Sequence, residues 1–229
     1  MTLALISDIH GNLAALEAVF GQLDRLGIGD VLCLGDVGGY YPELDACADL
    51  LRARRIPCLM GNHDNYLATN TPCPRSDSAN RCLDYQRRTA RPDTFAWLRS
   101  LPHRHDLKGL SAVHAGWIDP IDETFAPSDA YFAGMPGEAF ASGHTHVQFV
   151  WRGKDALYCN PGSVGQPRDG DPRAAFAIWE SGTFHLHRID YDIDRTEEAM
   201  RKAGFDAYFF QNLRIGSRIG GKIDTPPHV

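Results

Sequence analysis

Short clusters of Asp, His and Asn recur along this chain: Asp8-Ile9-His10, Gly35-Asp36, Gly61-Asn62-His63-Asp64, Val113-His114 and Gly143-His144-Thr145-His146. Together they offer two carboxylates (Asp8, Asp36), one amide (Asn62) and four imidazoles (His10, His114, His144, His146). These are hard or borderline metal donors without a thiolate among them, a set that suits Mn, Fe, Zn, Co or Ni and not Ca, which prefers oxygen alone. Seven donors over-supply one ion. Two divalent ions about 3.5–4 Å apart, sharing one carboxylate, use them all. Asp36 is the natural shared ligand, being alone on its loop with two oxygens to divide. Such a pair lowers the pKa of a bridging water toward roughly 7 and clamps two oxygens of a phosphoryl group.

The elements around the clusters must bring them together. Leu3–Ile6 reads as a buried strand, Leu13 to Leu26 as a helix capped by Asn12 and stopped at Gly27, and Val31–Leu34 as a second strand. A helix with Leu44, Cys47, Leu50 and Leu51 inside follows, then a third strand, Ile56–Met60. This is the βαβ signature of a parallel sheet, whose functional residues collect beyond the carboxyl ends of its strands. Residues 67–109 read as a helical excursion, with helices over 81–90 and 93–101. Strands Ser111–Val113 and Phe140–Ser142 then lead to His114 and to the His144/His146 pair. If that pair hangs from a strand end, alternation turns both imidazoles the same way. From Val147 onward, short strands (147–152, 156–159, 174–179, 183–189) suggest a mostly antiparallel second sheet. Thr196–Ala203 reads as a last helix capped by Thr196, and 216–229 as a loosely held, Gly- and Pro-rich tail.

Composition narrows the function. The chain has 229 residues, 43% hydrophobic and 23% charged, which reads as one soluble α/β domain. A net charge of −6 argues against an extended nucleic-acid surface but leaves room for a small phosphorylated ligand held by metal. Six cysteines show no Cys-x-x-Cys spacing, and Cys33, Cys47 and Cys58 fall in apolar or amphipathic segments as buried free thiols. With no signal peptide or membrane-length apolar run, the expected location is the cytoplasm.

Singly, each cluster has an ordinary structural role as a cap, a turn or a core histidine. Five of the ten histidines nevertheless lie in these clusters, at the ends of separate predicted strands. The five blocks, in this order and spacing, resemble the signature blocks of calcineurin-like metallophosphoesterases. Ile6-Ser7-Asp8-Ile9-His10-Gly11-Asn12, Gly39-Tyr40-Tyr41-Pro42 and the segment Asn160 to Arg168 resemble the small single-domain bacterial and archaeal branch. The resemblance implies a four-layer α/β/β/α sandwich of two packed mixed sheets flanked by helices. It implies one metal on Asp8, His10, Asp36 and His146 and another on Asp36, Asn62, His114 and His144. It gives His63 the task of stabilising the phosphoryl oxygens or protonating the leaving group; as the residue after Asn62 in an extended loop, His63 would point away from the ions. Asp64 either orients His63 or caps a helix. Ala115 stands where most members have Gly. The larger phosphoprotein phosphatases carry Asp where this chain has Gly39, which counts against that branch.

The expected reaction is therefore two-metal hydrolysis of a small phosphodiester. Phosphomonoesterase and dinucleoside polyphosphate hydrolase are the enzymatic alternatives. A non-catalytic scaffold, as in the retromer subunit of similar fold, is a third, although ligand loss, its signature, is absent here. Arg168 is a candidate phosphate contact. Tyr40, Tyr41 and Trp117 are candidates for stacking on a leaving group or for packing. The oligomeric state is left open.

Overall fold

Strand β1 (Thr2–Ile6) sends alternate side chains into two different cores, and this alternation organises the molecule. Ala4 and Ile6 face helix α1 (Leu13–Leu26), while Leu3 and Leu5 face a second sheet. Beside β1 lie β2 (Val31–Cys33), parallel to it, and β8 (Ala174–Glu180), antiparallel; β9 (Thr183–Ile189) completes the order β2-β1-β8-β9. The second sheet has the order β3-β4-β5-β7-β6, built from β3 (Arg104–Leu107), β4 (Leu110–Val113), β5 (Ala139–Ala141), β6 (Gln148–Arg152) and β7 (Leu157–Pro161). Here β4, β5 and β7 are parallel and the outer strands antiparallel. This computed structural model describes residues 2–107 and 109–227.

The expected four-layer sandwich of mixed sheets is the fold observed. Between the sheets, Leu5, Leu32 and Ala177 meet Ala112, Ala141 and Cys159. Helices α1, α2 (Leu44–Ala53) and α7 (Ile193–Lys202) lie on the side of the first sheet. The outer face of the second sheet is covered by the single turn α6 (Asp129–Phe132) and an aromatic cluster around Phe132, Phe140 and Tyr158. All six cysteines are free and buried.

Several local expectations need correction. The later strands form no separate antiparallel sheet. β6 and β7 join β4 and β5, whereas β8 and β9 return to pair with β1. Ile56–Met60 makes only one parallel bridge, Cys33 to Cys58. Pro57 has no N–H to donate, so the ladder stops after Cys33 N–H to Pro57 O and Leu59 N–H to Cys33 O. The excursion holds α4 (Asp77–Thr89), α5 (Pro92–Arg99) and the unforeseen edge strand β3, and α3 (Asn62–Thr69) leads into it. Asn12 caps α1 and Gly27 ends it at φ 69°, as read. Helix α7, however, is capped by Asp192; Thr196 lies inside it and donates to Asn12 Oδ1 instead. The segment read as a loose tail is tied down by Gly170 N–H to Gly216 O and Asp224 N–H to Arg168 O. Its last residues, 228 and 229, lie outside the described residues.

Candidate metal centre

The carboxyl ends of β1, β2, β4 and β5 meet at one rim of the sandwich. Backbone bonds stitch them: Asp8 N–H to Gly35 O, His10 N–H to Asp36 O and Gly143 N–H to His114 O. Five of the eight described non-glycine residues with positive φ are Asp8 (55°), His10 (55°), Asp36 (54°), His144 (69°) and His146 (62°). An L-residue held there costs on the order of 1–2 kcal/mol, and such strain concentrates at functional sites. His144 and His146 thus sit in a loop and not on a strand, so alternation is not what aims them. Each turns inward through its own left-handed residue. Gly143 permits the approach, since a Cβ there would lie 1.9 Å from Ser7 Oγ and 2.6 Å from Asp8 Oδ2.

Asp8, His10, Asp36 and His146 each offer a donor atom within 4.8 Å of the others, and all four are buried. His10 Nδ1 faces Gly38 O at 2.8 Å and His146 Nδ1 faces Gln166 O at 2.7 Å. A carbonyl only accepts, so both Nδ1 atoms carry hydrogen and both Nε2 atoms present lone pairs. These lone pairs face each other at 3.0 Å. Asp8 Oδ1 lies 3.3 Å from His146 Nε2, buried and without a hydrogen-bond partner. Opposed lone pairs beside an orphaned carboxylate oxygen are unfavourable alone and complementary to a cation, so these residues fit a metal.

A second group converges alongside. Asn62 Oδ1 lies 3.1 Å from His114 Nε2 and 2.9 Å from His144 Nδ1. His114 Nδ1 faces Leu34 O at 2.9 Å. Asp36 lies between the groups, with Oδ2 at 3.7 Å from His10 Nε2 and 3.5 Å from His114 Nε2. It does not divide its two oxygens between them: Oδ1 accepts the backbone N–H of His63 at 2.8 Å, so Oδ2 alone faces both.

Burial dominates the electrostatics of the site. Burial drives His10 and His146 well below the usual imidazole range and takes His144 down to about 3. For His114 burial acts the same way, but the charge and hydrogen bond of Asp36 outweigh it and lift the group to about 10. Burial raises the Asp8 carboxyl to about 7. Burial also opposes charge on Asp36, yet His114, His63 and His10 hold it below the usual carboxylate range.

His63 stands on the first turn of α3 and not in an extended loop, so helical rotation separates it from Asn62. It is 5% exposed, its Nδ1 has no partner among the described residues, and burial lowers it to about 4. Asp64 makes no hydrogen bond to it. Asp64 instead accepts from Gly61, Val37 and Gly38 backbone N–H groups, pinning the Asp36 loop to the start of α3. At Gly39 (φ 138°) a Cβ would sit 2.3 Å from His10 Nδ1 and 3.1 Å from His63 Nδ1, so this backbone leaves no room for a carboxylate there.

Arg168 is 8% exposed and lines a cavity of about 450 Å³ together with Asp36, His63, His144 and His146. Gln166 Oε1 accepts from its Nε (3.1 Å) and Nη2 (2.7 Å), and Tyr40 Oη accepts from Nη2 at 3.1 Å. Tyr40 shares the cavity, with its ring 4.9 Å from that of His63. Tyr41 is core, held by Gln166, and Trp117 packs in the aromatic cluster. Two residues escaped the sequence reading. Gln86 accepts from Gly39 N–H at 2.9 Å and donates to Tyr41 O at 2.6 Å, holding the loop that fixes His10 and Tyr40. Its signal was there to read: it continues the buried Ala79, Cys82, Leu83 stripe of α4 as a polar residue. Asp122 lies 3.7 Å from His144 Nε2 and pairs with Arg75. It left no signal, being one Asp in a polar loop.

The chain matches the calcineurin-like phosphoesterase superfamily domain over residues 1–183 and belongs to that family of metal-dependent phosphoric ester hydrolases. It is similar to a metallophosphoesterase from Sphaerobacter thermophilus, with 30% identity, 94% of this chain and 100% of that one covered, and a TM-score of 0.83. It is 29% identical over 237 residues to the uncharacterized protein MJ0912 of Methanocaldococcus jannaschii, covering 93% of this chain and 98% of that protein. The hypothetical protein PH1004 from Pyrococcus horikoshii OT3 shares the fold at 19% identity, covering 95% and 99% of the two chains with a TM-score of 0.84. Among the described residues no helix is long and apolar enough to cross a membrane.

Proposed function

We propose that this chain hydrolyses a small phosphodiester with two divalent ions. One would be held by Asp8, His10, Asp36 and His146, the other by Asp36, Asn62, His114 and His144. The observation that carries this reading is the placement of Asp36 Oδ2, within 3.7 Å of His10 Nε2 and 3.5 Å of His114 Nε2. When bound, such a pair supplies hydroxide at neutral pH and neutralises phosphoryl oxygens. The protein's part is positioning. Gly38 and Gln166 carbonyls hold His10 and His146 in the tautomer that presents Nε2. Arg168, braced by Gln166 and Tyr40 through Nε and Nη2, offers its remaining Nη1 to a non-bridging phosphoryl oxygen. His63 stabilises the phosphoryl group or delivers a proton to the leaving oxygen. A full donor set with His63 in place favours catalysis over a purely scaffolding role.

Chelator-treated protein is expected to be inactive, and Mn(II) to restore turnover. Across an aryl phosphoester panel, diesters are expected to outpace monoesters; a monoesterase would reverse that order, and a dinucleoside polyphosphatase would turn over a dinucleoside polyphosphate faster than any aryl ester. Metal titration tests the division of ligands. His146→Ala is expected to weaken the ion on Asp8 and His10, and His144→Ala the ion on Asn62 and His114. Identical binding isotherms from the two variants would refute the division.

A further inference from the structure

The cavity beside the donors is lined by more guanidinium groups than one diester needs. Three guanidinium groups, Arg75, Arg168 and Arg218, line it, and Asp36 is the sole acidic side chain among the described lining residues. A phosphodiester bears a single negative charge, which Arg168 alone can meet beside the donor cluster.

The three arginines are not equivalent. The Arg75 fork is closed on Asp122 through Nη1 and Nη2. The bonds of Arg168 go to neutral acceptors, Gln166 and Tyr40. Arg218 uses Nε on Asp224, while its Nη1 and Nη2 bond to nothing among the described residues. The C-terminal segment delivers it. A turn closed by Arg218 N–H to Lys222 O (2.8 Å) and Gly221 N–H to Arg218 O (2.8 Å) is fastened by Asp224 N–H to the carbonyl of Arg168 itself, at 2.7 Å. Asp224 thus ties the Arg218 side chain to the Arg168 backbone. Both guanidinium groups line the one cavity, and the second, half exposed, leaves its terminal fork open. An open fork matches the paired oxygens of phosphate.

We propose that Arg218 is a substrate-binding residue, and that the substrate carries a second phosphate group beyond the scissile one. This deepens the phosphoesterase reading above and rests on it. Where the second phosphate is bound, the Arg218 fork takes two of its oxygens while Arg168 serves the reacting group.

The test uses the full chain, loaded with Mn(II) and carrying His63→Gln to slow turnover. A sugar monophosphate and the matching bisphosphate are titrated in by calorimetry. The bisphosphate is expected to bind about tenfold more tightly. Adding Arg218→Ala should reduce that preference to under about threefold, and Arg218→Lys should retain part of it, which separates a lost charge from a disturbed turn. Equal binding of both sugars by the Arg218 protein would overturn the proposal, as would a preference that survives Arg218→Ala. Failure of the phosphoesterase reading would look different. The chain without His63→Gln would leave aryl esters intact while selective bisphosphate binding persisted.

Discussion

Asp36→Asn is expected to reduce turnover of an aryl phosphodiester by at least about 10³-fold and to lower bound metal below two ions per chain. Removing a partner that merely orients a metal ligand typically costs 10–100-fold, so losing a charge that faces both proposed ion positions should cost more. The substitution is close to isosteric. Its Oδ1 can still accept the His63 N–H that Asp36 accepts at 2.8 Å, so the start of α3 keeps its anchor. What changes is the charge facing His10 and His114. Far-UV circular dichroism should match the parent, and metal analysis after desalting should report the missing ion. Unchanged turnover would refute the two-metal mechanism; unchanged metal content with lost turnover would relieve Asp36 of its ligand role.

The convergence of these side chains was legible because their chemistry and their position agree. Asp8, Asp36 and His114 each follow a short apolar run, and an apolar run closed by a turn marks a strand end whatever its partner. What was illegible depends on pairing between distant segments. Nothing local to Ala174–Glu180 says that it will lie antiparallel to Thr2–Ile6, for an apolar strand fits either sheet. Backbone hand was equally hidden. His144 and His146 can be turned inward by strand alternation or by left-handed residues, and their spacing is the same in both cases. The fate of Ile56–Met60 was partly readable, because Pro57 cannot donate to a ladder. The bracing of Arg168 by Gln166 was implicit in a polar turn. The arrival of Arg218 from 50 residues further on was not.

His63→Gln separates chemistry from metal binding. His63 makes no contact that a ligand must make; its backbone, and not its ring, touches Asp36. Glutamine keeps a polar side chain of similar reach but cannot exchange a proton near neutral pH. Both ions should therefore remain, with unchanged stoichiometry, while kcat on an aryl diester falls about 10²–10³-fold, or ~2.7–4 kcal/mol of transition-state stabilisation. The choice of leaving group sharpens the result. If His63 delivers the proton, the deficit should shrink for p-nitrophenolate, which departs without help, and widen for an alkoxide. If it acts on the phosphoryl oxygens, the deficit should be the same for both. Burial favours the neutral ring in the free protein, and Gly39 supplies no carboxylate to hold a proton on it, so proton delivery would require His63 to gain charge only once an anionic phosphoester lies against it. A leaving-group-independent loss would then assign the ring to charge stabilisation, and loss of metal would make His63 part of the ligand sphere after all.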